Sequence, residues 1–403
     1  MKSEKVYFQN AEGNRLSGII DFPLVGRPKA FAIFAHCFTC SKNLKAVDNI
    51  SQGLTDHDIA VLRFDFTGLG QSKGDFSDSN FSSNITDLKS AYDFLEQNYQ
   101  APQIMIGHSL GGAAVLHASG DLEAVKSVVT IGAPSNPVHV KHLFDSGQEE
   151  ISQKGSALVN IGGRSFTIKD QLIQDLEKND TTEVISKMGK ALLIIHSPQD
   201  TIVGIENATE IFLAAKHPRS FISLDGADHL MSKSADSRYV GNLIGPWASR
   251  YIEENAGEEM APEGEVWTRI SDKGFLTEIT AGKHHLIADE PEGSGGTDFG
   301  PSPYGYLLSA LGTCTAMTLR MYADFKKIDL QGVEVKLTHD KVHIQDGDQI
   351  EASKGKIDQI KRIIKLTGDL SEEQRVRLVE IADRCPVHKT LEGKPQILTQ
   401  RID

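Results

Sequence analysis

The segment Gly107-His108-Ser109-Leu110-Gly111 carries the strongest chemical signal in this chain of 403 residues. It follows the apolar residues 103–106 and precedes the helix-forming residues 112–120. A strand, a sharp turn and a helix in that order present a serine hydroxyl on a strained turn, where flanking side chains larger than glycine would collide with neighbouring elements. The free N–H groups at the start of the helix face the oxygen that becomes negative when a carbonyl is attacked. Ser109 is therefore predicted to be a nucleophile.

A serine hydroxyl needs a general base, and the base needs a carboxylate to orient it. Asp200 follows one apolar run, and His229 follows the next run along the chain. Reactive groups collect beyond the carboxyl ends of strands in open α/β sheets, so these two residues are the predicted acid and base. Asp225 and Asp228 are alternative acids, but they share the loop of the histidine and are expected to shape its turn.

Short apolar runs, most of them separated by helical segments, must position these three residues. They are residues 30–35, 59–66, 103–106, 125–131, 191–195 and 220–224. Apolar strands alternating with helices indicate a parallel sheet covered on both faces, so the predicted fold class is α/β, here preceded by a hairpin. Residues 135–190 break the alternation and are predicted to form a small helical cap.

Residues 1 to about 252 resemble the α/β-hydrolase superfamily, close to its small esterase and acyl-peptidase-like members. The resemblance rests on residues 107–111, on the stretch RFDFTGLGQSKGDF, and on the loop His36-Cys37-Phe38-Thr39-Cys40. It implies that the backbone N–H groups of Phe38 and Leu110 form the oxyanion hole, and that Asp65 is structural. Members usually carry glycine at the position of Cys37, so this loop is unusual.

Cys37 and Cys40 also form a C-x-x-C pair. Scattered cysteines in a reducing compartment are not a disulfide framework, so these two thiols are expected to pack beside the nucleophile. A redox pair or half of a zinc site is the alternative, although no second pair of ligands completes a metal cage. No metal or bound cofactor is expected. Arg164, in the cap, is expected to pin the cap to the sheet, the alternative being a contact with a substrate carboxylate.

The chain changes character after a polar, acidic segment at residues 253–261, which is the predicted linker between a hydrolase domain at residues 1–252 and a second domain at residues 262–403. The second domain is predicted to be α+β. It has strand-like runs, a Gly-rich loop, a helix over residues 303–327, a second helix starting at a capping box, and a closing strand at residues 396–400.

Two cysteines lie in this second domain. Cys314 has apolar neighbours at helical spacing, which favours a buried packing role. Cys385 lies in Arg384-Cys385-Pro386-Val387-His388-Lys389, where nearby cations are expected to lower its pKa and expose a reactive thiolate.

Residues 262–403 resemble the OsmC/organic hydroperoxide resistance (Ohr) family, on the stretches DEPEGSGGTDFGPSPYGYLLSALGTCTAMTLRMYA and GDLSEEQRVRLVEIADRCPVHKTLEG. The resemblance implies that Cys314 attacks an organic hydroperoxide and that Cys385 resolves the sulfenic acid, with an external dithiol as reductant. It also implies a homodimer through this domain and a role in oxidative stress. Members that are peroxidases carry a glutamate where this chain has Tyr304-Gly305, together with an arginine for which Arg269 is the nearest candidate.

The formal net charge of −13 argues against nucleic-acid and anionic-membrane partners, which require clustered Lys and Arg. The polar N-terminus does not resemble a signal peptide, and a cytoplasmic location is expected. The sequence thus predicts a serine hydrolase of carboxylic esters or thioesters, fused to a thiol-dependent peroxidase. The alternative is a serine esterase whose second domain is a non-catalytic dimerisation or binding module.

Overall fold

The computed structural model describes residues 1–24, 26–161, 163–179, 181–253, 260–270, 274–343 and 356–401. The chain divides into two compact units, Met1–Met260 and Ala261–Asp403. Most of the predicted linker, residues 254–259, lies outside the described residues. No helix in the described part of the chain is long and apolar enough to cross a membrane.

The first unit is built on an eight-stranded sheet in the order β1-β2-β4-β3-β5-β6-β9-β10. The first unit has ten strands among its described residues, and β7 and β8 form a separate pair outside this sheet. The strands are β1 (Lys2–Gln9), β2 (Arg15–Phe22), β3 (Ala30–Ala35), β4 (Ile59–Phe64), β5 (Ile104–His108), β6 (Ser127–Ile131), β7 (Ser156–Ile161), β8 (Arg164–Lys169), β9 (Ala191–His196) and β10 (Arg219–Ser223). The β1–β2 hairpin joins β4 in antiparallel fashion, and every later pair in the sheet is parallel. The predicted α/β fold is therefore confirmed.

Helices cover both faces of this sheet. The α-helices of the first unit, including α4, α5 and α6 of the cap, are α1 (Lys45–Thr55), α2 (Phe81–Asn98), α3 (Leu110–Ser119), α4 (Gln148–Lys154), α5 (Asp170–Lys178), α6 (Thr181–Lys187), α7 (Glu206–Ala214) and α8 (Ser234–Ser249). Successive strand residues point to opposite faces. Ile33 and Leu192 accordingly pack in one core with α2, α3 and α7, while Phe34 and Leu193 pack in the other with α1 and α8. The central strands β3, β4, β5, β6 and β9 are mostly apolar because both of their faces are buried, whereas the edge strands β1 and β10 are partly exposed.

The cap is not purely helical, which corrects the sequence-based prediction. It contains a 3-10 helix (Pro137–Gly147), α4, α5 and α6, but also the antiparallel hairpin β7–β8. Side chains of β7 alternate between the core and the solvent: Val159 is 2% exposed and Leu158 is 69% exposed. Burial in β7 thus repeats every two residues, which is the period of a strand and not of a helix. The turn that follows contains Gly163 with a φ of +82°, and such a turn favours a hairpin.

The second unit is α+β, as predicted. Its elements are β11 (Val266–Ile270), β12 (Thr277–Ala281), β13 (His284–Ala288), α9 (Pro303–Lys326), β14 (Leu330–His343), β15 (Lys356–Gly368), α10 (Glu372–Ala382) and α11 (Pro386–Glu392). β11, β12 and β13 form one antiparallel sheet, and β14 pairs with β15. The predicted capping box is present at the start of α10, between Ser371 and Gln374.

The predicted closing strand at residues 396–400 is wrong. This segment has no regular structure, and Ile397 and Leu398 are 86% and 82% exposed. A strand needs a neighbour that accepts its backbone hydrogen bonds, and within the described residues of this unit β11 to β15 pair only with one another.

Candidate active site

Ser109 lies in the sharp turn between β5 and α3. Its φ and ψ are 55° and −127°, a conformation that a non-glycine residue adopts only where its surroundings hold it. Its N–H donates to the Ile131 carbonyl at 2.9 Å, which ties the turn to the neighbouring strand β6. A Cβ at Gly107 would lie 2.2 Å from the Gly111 carbonyl oxygen, so the turn is too tight for a larger residue.

The structure brings together the three residues that the sequence predicts as nucleophile, base and acid. The Nε2 atom of His229 lies 3.0 Å from the Oγ atom of Ser109, and its Nδ1 atom lies 2.7 Å from an Asp200 carboxylate oxygen. An ionised carboxylate only accepts hydrogen bonds, so Nδ1 carries the donated hydrogen and Nε2 presents its lone pair to the serine hydroxyl. This tautomer is the one that a general base requires.

Asp200 is held as a carboxylate by its surroundings. Burial raises the pKa of this group, but hydrogen bonds from His229 and from the N–H groups of Val203 and Ile202 more than offset it, and the net pKa shift is downward. The two backbone N–H groups reach its other oxygen at 3.0 and 2.9 Å. Both carboxylate oxygens are thus fixed, one toward the backbone and one toward the imidazole.

His108 is a positioning residue whose role is not evident from the sequence. Its Nε2 atom donates to the backbone carbonyl of His229 at 2.7 Å, because a carbonyl can only accept. Burial, with an added contribution from the nearby His229, lowers the pKa of His108 to about 3, so the ring is neutral at physiological pH. This hydrogen bond holds the backbone of the loop that carries His229. The only signal in the sequence is its place inside the Gly-X-Ser-X-Gly segment.

Asp225 and Asp228 shape the turn of the histidine loop, as expected. Asp225 accepts a hydrogen bond from the Ser223 hydroxyl at 2.6 Å, and Asp228 accepts one from the Ser232 N–H at 3.0 Å.

Residues 36–42, here called loop 36–42, follow β3 and contain the predicted oxyanion donor Phe38. Cys37 and Cys40 in this loop form a disulfide, with Cα atoms 5.3 Å apart, so the prediction of two packing thiols is wrong. The turn is closed by a hydrogen bond from the Cys40 N–H to the Cys37 carbonyl at 3.1 Å, and this brings the two Cα atoms into the range of about 4.4–6.8 Å in which disulfides form.

Loop 36–42 is anchored on both sides. At its end, the ammonium group of Lys42 forms a buried ion pair with Asp65, and the Lys42 carbonyl accepts from Arg63 at 2.8 Å. In its middle, the Arg164 guanidinium of the cap donates to the Thr39 carbonyl. Asp65 is therefore structural, and Arg164 ties the cap to this loop.

A largely apolar cleft lies between loop 36–42 and the start of α3. Its lining includes Phe38, Phe66, Leu69, Phe76, Leu110 and Ala114. The rings of Phe38 and Phe76 are 5.6 Å apart between centroids. Leu110 is the first residue of α3, and the first N–H groups of a helix have no acceptor within the helix. The predicted donor residues thus border the cleft. Within the described residues, no group of three or more His, Cys, Asp or Glu side chains is placed to hold a metal ion.

The two cysteines of the second unit meet between α9 and α11. Cys385 is completely buried, which corrects the expectation of an exposed thiolate, and Cys314 is half-buried. Burial raises the pKa of Cys385, but hydrogen bonds from the N–H of His388 and from the side chains of Cys314 and Thr315 outweigh it, and the net shift is downward. The lowering comes from hydrogen bonds, with the His388 N–H at 3.3 Å, and not from the predicted cations.

The face of α9 that carries Cys314 is not the packed face that the sequence predicts. The buried residues of α9 are Leu311, Thr315, Leu319 and Ala323, whereas Met317 and Met321 are 65% and 72% exposed. The apolar spacing around Cys314 therefore describes a surface of this chain and not its core.

Comparison with known proteins bears on the first unit most strongly. Residues 26–159 match the family model described as serine aminopeptidase, S33. The crystal structure of the esterase domain from a Rhodothermus marinus protein is 48% identical, covers 63% of this chain and 100% of its own, and superposes with a TM-score of 0.53. The chain belongs to the α/β-hydrolase superfamily. Residues 293–400 match the family model described as OsmC-like protein, so this hydrolase carries an OsmC-like domain.

Two further relatives match the hydrolase unit. The uncharacterized protein YfhR of Salmonella typhi is 23% identical over 234 residues, which are 57% of this chain and 75% of that protein. The mitochondrial palmitoyl-protein thioesterase ABHD10 of Rattus norvegicus is 34% identical over 186 residues, which are 44% of this chain and 61% of that protein.

The OsmC-like domain places an arginine of β15 near its cysteines. Arg269 lies on β11, opposite Glu278 of β12. Arg362 of β15 instead donates to the Thr315 hydroxyl at 3.1 Å, and that hydroxyl lies 3.9 Å from the Cys385 sulfur. Nothing in the sequence near either cysteine points to Arg362, because strand pairing brings it there.

Tyr304 occupies the start of α9, where peroxidase members of the family carry a glutamate. Its ring stacks on His339 of β14, with centroids 4.4 Å apart and planes 12° apart. His339 in turn lies 2.8 Å from the Asp358 carboxylate. This position of the helix is therefore tied to the β14–β15 pair.

Proposed function

We propose that the hydrolase unit is a serine esterase that cleaves carboxylic esters or thioesters through Ser109, His229 and Asp200. The observation that carries the proposal is the unbroken hydrogen-bond chain from the Ser109 hydroxyl through the His229 ring to Asp200, at 3.0 and 2.7 Å. It lies on a strained turn at the carboxyl edge of the sheet, which is where this fold performs acyl transfer.

The reaction has two halves. The Ser109 oxygen attacks the carbonyl carbon while its proton passes to Nε2 of His229, and the backbone N–H groups of Phe38 and Leu110 stabilise the oxyanion. His229 then gives that proton to the departing alcohol or thiol, leaving an acyl-enzyme. Water, deprotonated by the same ring, releases the carboxylic acid and restores the serine. Asp200 stays ionised throughout and stabilises the imidazolium.

The side chains beside the proposed oxyanion donors support a substrate with an apolar acyl group. Phe38, Phe76 and Leu110 are among them, and they offer an acyl chain apolar surface and no charge. The thioesterase named among the relatives supports including thioesters, since the same nucleophile attacks both kinds of carbonyl. A series of nitrophenyl esters and acyl thioesters of increasing chain length measures the preference directly.

Replacement of the nucleophile tests this proposal. Ser109→Ala is expected to abolish hydrolysis of short-chain nitrophenyl esters without unfolding the chain. Ser152→Ala, an exposed serine of α4 in the cap, is the matched control and is expected to keep the wild-type rate. Residual turnover of more than a few per cent in pure Ser109→Ala protein would show that another group is the nucleophile.

We propose further that the OsmC-like domain is a thiol peroxidase. The Cys314 thiolate attacks the outer oxygen of an organic hydroperoxide and the O–O bond breaks. The outer oxygen stays on the sulfur as a sulfenic acid, and the alkoxide leaves and is protonated to an alcohol. Cys385 then displaces water to form a disulfide, which an external dithiol reduces. The support is the contact between the two thiols, and the lowered pKa of Cys385 favours the thiolate that attacks the sulfenic acid in the second step.

The alternative is a binding or dimerisation module without turnover, which the replacement of the family glutamate by Tyr304 favours. Consumption of cumene hydroperoxide with dithiothreitol separates the two functions. The peroxidase proposal expects Cys314→Ser to lose the protein-dependent rate. Equal rates for the wild type and Cys314→Ser would favour the module.

We also propose that the OsmC-like domain forms a homodimer. Its apolar core among the described residues is a single small cluster of Leu319, Ala323, Leu330, Leu378, Ile381 and Ala382. On α9, Met317, Met321 and Phe325 are 65%, 72% and 79% exposed and follow one another at one-turn spacing. A second copy would bury this face. Light scattering is expected to give twice the chain mass, and Met321→Glu to give a monomer.

A further inference from the structure

The disulfide Cys37–Cys40 encloses the residue that donates to the oxyanion in the proposed mechanism. Phe38 lies between the two cysteines, so its backbone N–H points in a direction that the closed four-residue turn determines. Thr39, beside it, has a φ of +61°, in the left-handed region that a non-glycine residue adopts only under constraint. The anchors at Thr39 and Lys42 hold the loop from outside the turn. Inside the turn, the Cys40 N–H to Cys37 carbonyl hydrogen bond accompanies the disulfide.

The two cysteines differ in exposure. Cys37 is 4% exposed and lines the cleft, whereas Cys40 is half-buried. A thiolate from solution is therefore expected to reach Cys40 before Cys37, which makes Cys37 the leaving group. Thiol–disulfide exchange depends on such access to one sulfur.

We propose that Cys37–Cys40 is a thiol–disulfide exchange site that controls the esterase: the closed disulfide holds the oxyanion donor in place, and reduction by a dithiol releases it. One thiolate of the dithiol attacks the Cys40 sulfur, the S–S bond breaks, and Cys37 leaves as a thiolate that takes up a proton. The second thiol of the reductant, once deprotonated, attacks the reductant sulfur that is bonded to Cys40 in the mixed disulfide. This attack expels the Cys40 thiolate. Two electrons pass to the protein, and the reductant ends as a disulfide.

The inference rests on the proposed esterase function, because its consequence is a change in ester hydrolysis. Once the turn is open, Thr39 relaxes toward ordinary backbone angles and the Phe38 N–H turns away from the reacting oxygen. Loss of one oxyanion donor lowers kcat by about 10²–10³-fold. We therefore expect the reduced enzyme to be slower by about 100-fold, with Ser109, His229 and Asp200 unchanged in position.

The experiment uses the full chain in three states: as oxidised, after reduction with dithiothreitol and anaerobic removal of the reagent, and after reoxidation. Alkylation followed by peptide mass analysis reports whether Cys37 and Cys40 are free thiols, and hydrolysis of a nitrophenyl ester reports kcat. We expect kcat to fall by about 100-fold with the appearance of the two thiols, and to return on reoxidation. Cys40→Ser is expected to show the low rate with no response to the dithiol.

A double variant, Cys314→Ser with Cys385→Ser, is the matched control, because it removes the other two thiols and is expected to keep the full redox response of the esterase. An unchanged kcat in reduced wild-type protein, whose Cys37 and Cys40 alkylation shows to be free thiols, would overturn the proposal that this disulfide controls the esterase. A disulfide that dithiothreitol cannot reduce in the folded protein would overturn it as well. If the oxidised protein shows no Ser109-dependent hydrolysis at all, the proposed esterase function itself fails, and that result is distinguishable from the other two.

Discussion

Gly111 supports loop 36–42 by direct contact, and its replacement by alanine gives a quantitative test of that support. A Cβ at this position would lie 2.4 Å from the Ala35 carbonyl oxygen and 2.5 Å from the His36 carbonyl oxygen. Ordinary van der Waals contact begins at about 3.4 Å, so α3 must move about 1 Å away from the end of β3 and the start of loop 36–42. Both contacts are backbone atoms, and no side-chain rotation relieves them.

The expected cost has two parts. Overpacking of a well-packed core destabilises a protein by about 1–3 kcal/mol. A displacement of about 1 Å between reacting groups costs about 100-fold in rate. We therefore expect Gly111→Ala to fold with a Tm lowered by roughly 2–4 °C for each kcal/mol lost, and to hydrolyse esters about 100-fold more slowly in kcat.

Gly120, at the other end of α3, is the matched control. It has a helical φ of −59°, and a Cβ there would meet nothing within 4 Å. Gly120→Ala is expected to keep the wild-type kcat and Tm or to raise the Tm slightly. Stopped-flow ester hydrolysis and thermal melts of the two variants are the assays. A Gly111→Ala enzyme with wild-type kcat would refute the claim that the contact between α3 and loop 36–42 sets the geometry of catalysis.

Three further outcomes are expected. Asp200→Asn should lower kcat by about 10⁴-fold with little change in Tm, because the amide selects the wrong tautomer of the base, while Asp225→Asn should leave kcat within a few-fold of the wild type. His108 stays neutral when folded down to its pKa of about 3, whereas the unfolded chain binds a proton near pH 6.5. The free energy of unfolding should therefore decrease as the pH is lowered from about 6.5 to about 3, by at most about 1.4 kcal/mol per pH unit. Urea unfolding of His108→Asn should show a weaker dependence on pH. Arg362→Met should slow hydroperoxide consumption by about 5–10-fold, the worth of one hydrogen bond to the thiol site, and leave ester hydrolysis unchanged.

The hydrolase fold was predictable because its signals are local. Each buried parallel strand is a short run of mostly apolar residues, and the sharp turn at Ser109 is indicated by Gly107 and Gly111, two residues to either side. Asp200 and His229 were predictable from their places after successive strands, since the carboxyl ends of parallel strands meet at one edge of the sheet.

The missed features depend on contacts that sequence spacing does not encode. The Cys37–Cys40 bond follows from the turn that the backbone makes between them, and a C-x-x-C spacing is equally compatible with two packed thiols. Arg362 reaches the cysteines through the pairing of β14 with β15. The exposed face of α9 has the same apolar spacing as a buried one, so the pattern around Cys314 does not distinguish a core from an apolar surface such as the proposed dimer interface.

Covalent trapping of the nucleophile measures most directly whether Ser109 is the attacking residue of the proposed esterase. An alkyl fluorophosphonate reacts with an activated serine and leaves a stable phosphonyl adduct, which peptide mass analysis locates to a single residue. The proposed mechanism predicts one adduct per chain, on Ser109, formed at the rate at which ester hydrolysis is lost, and no adduct in His229→Ala. An adduct on another residue, or full inhibition with Ser109 unmodified, would show that Ser109 is not the nucleophile.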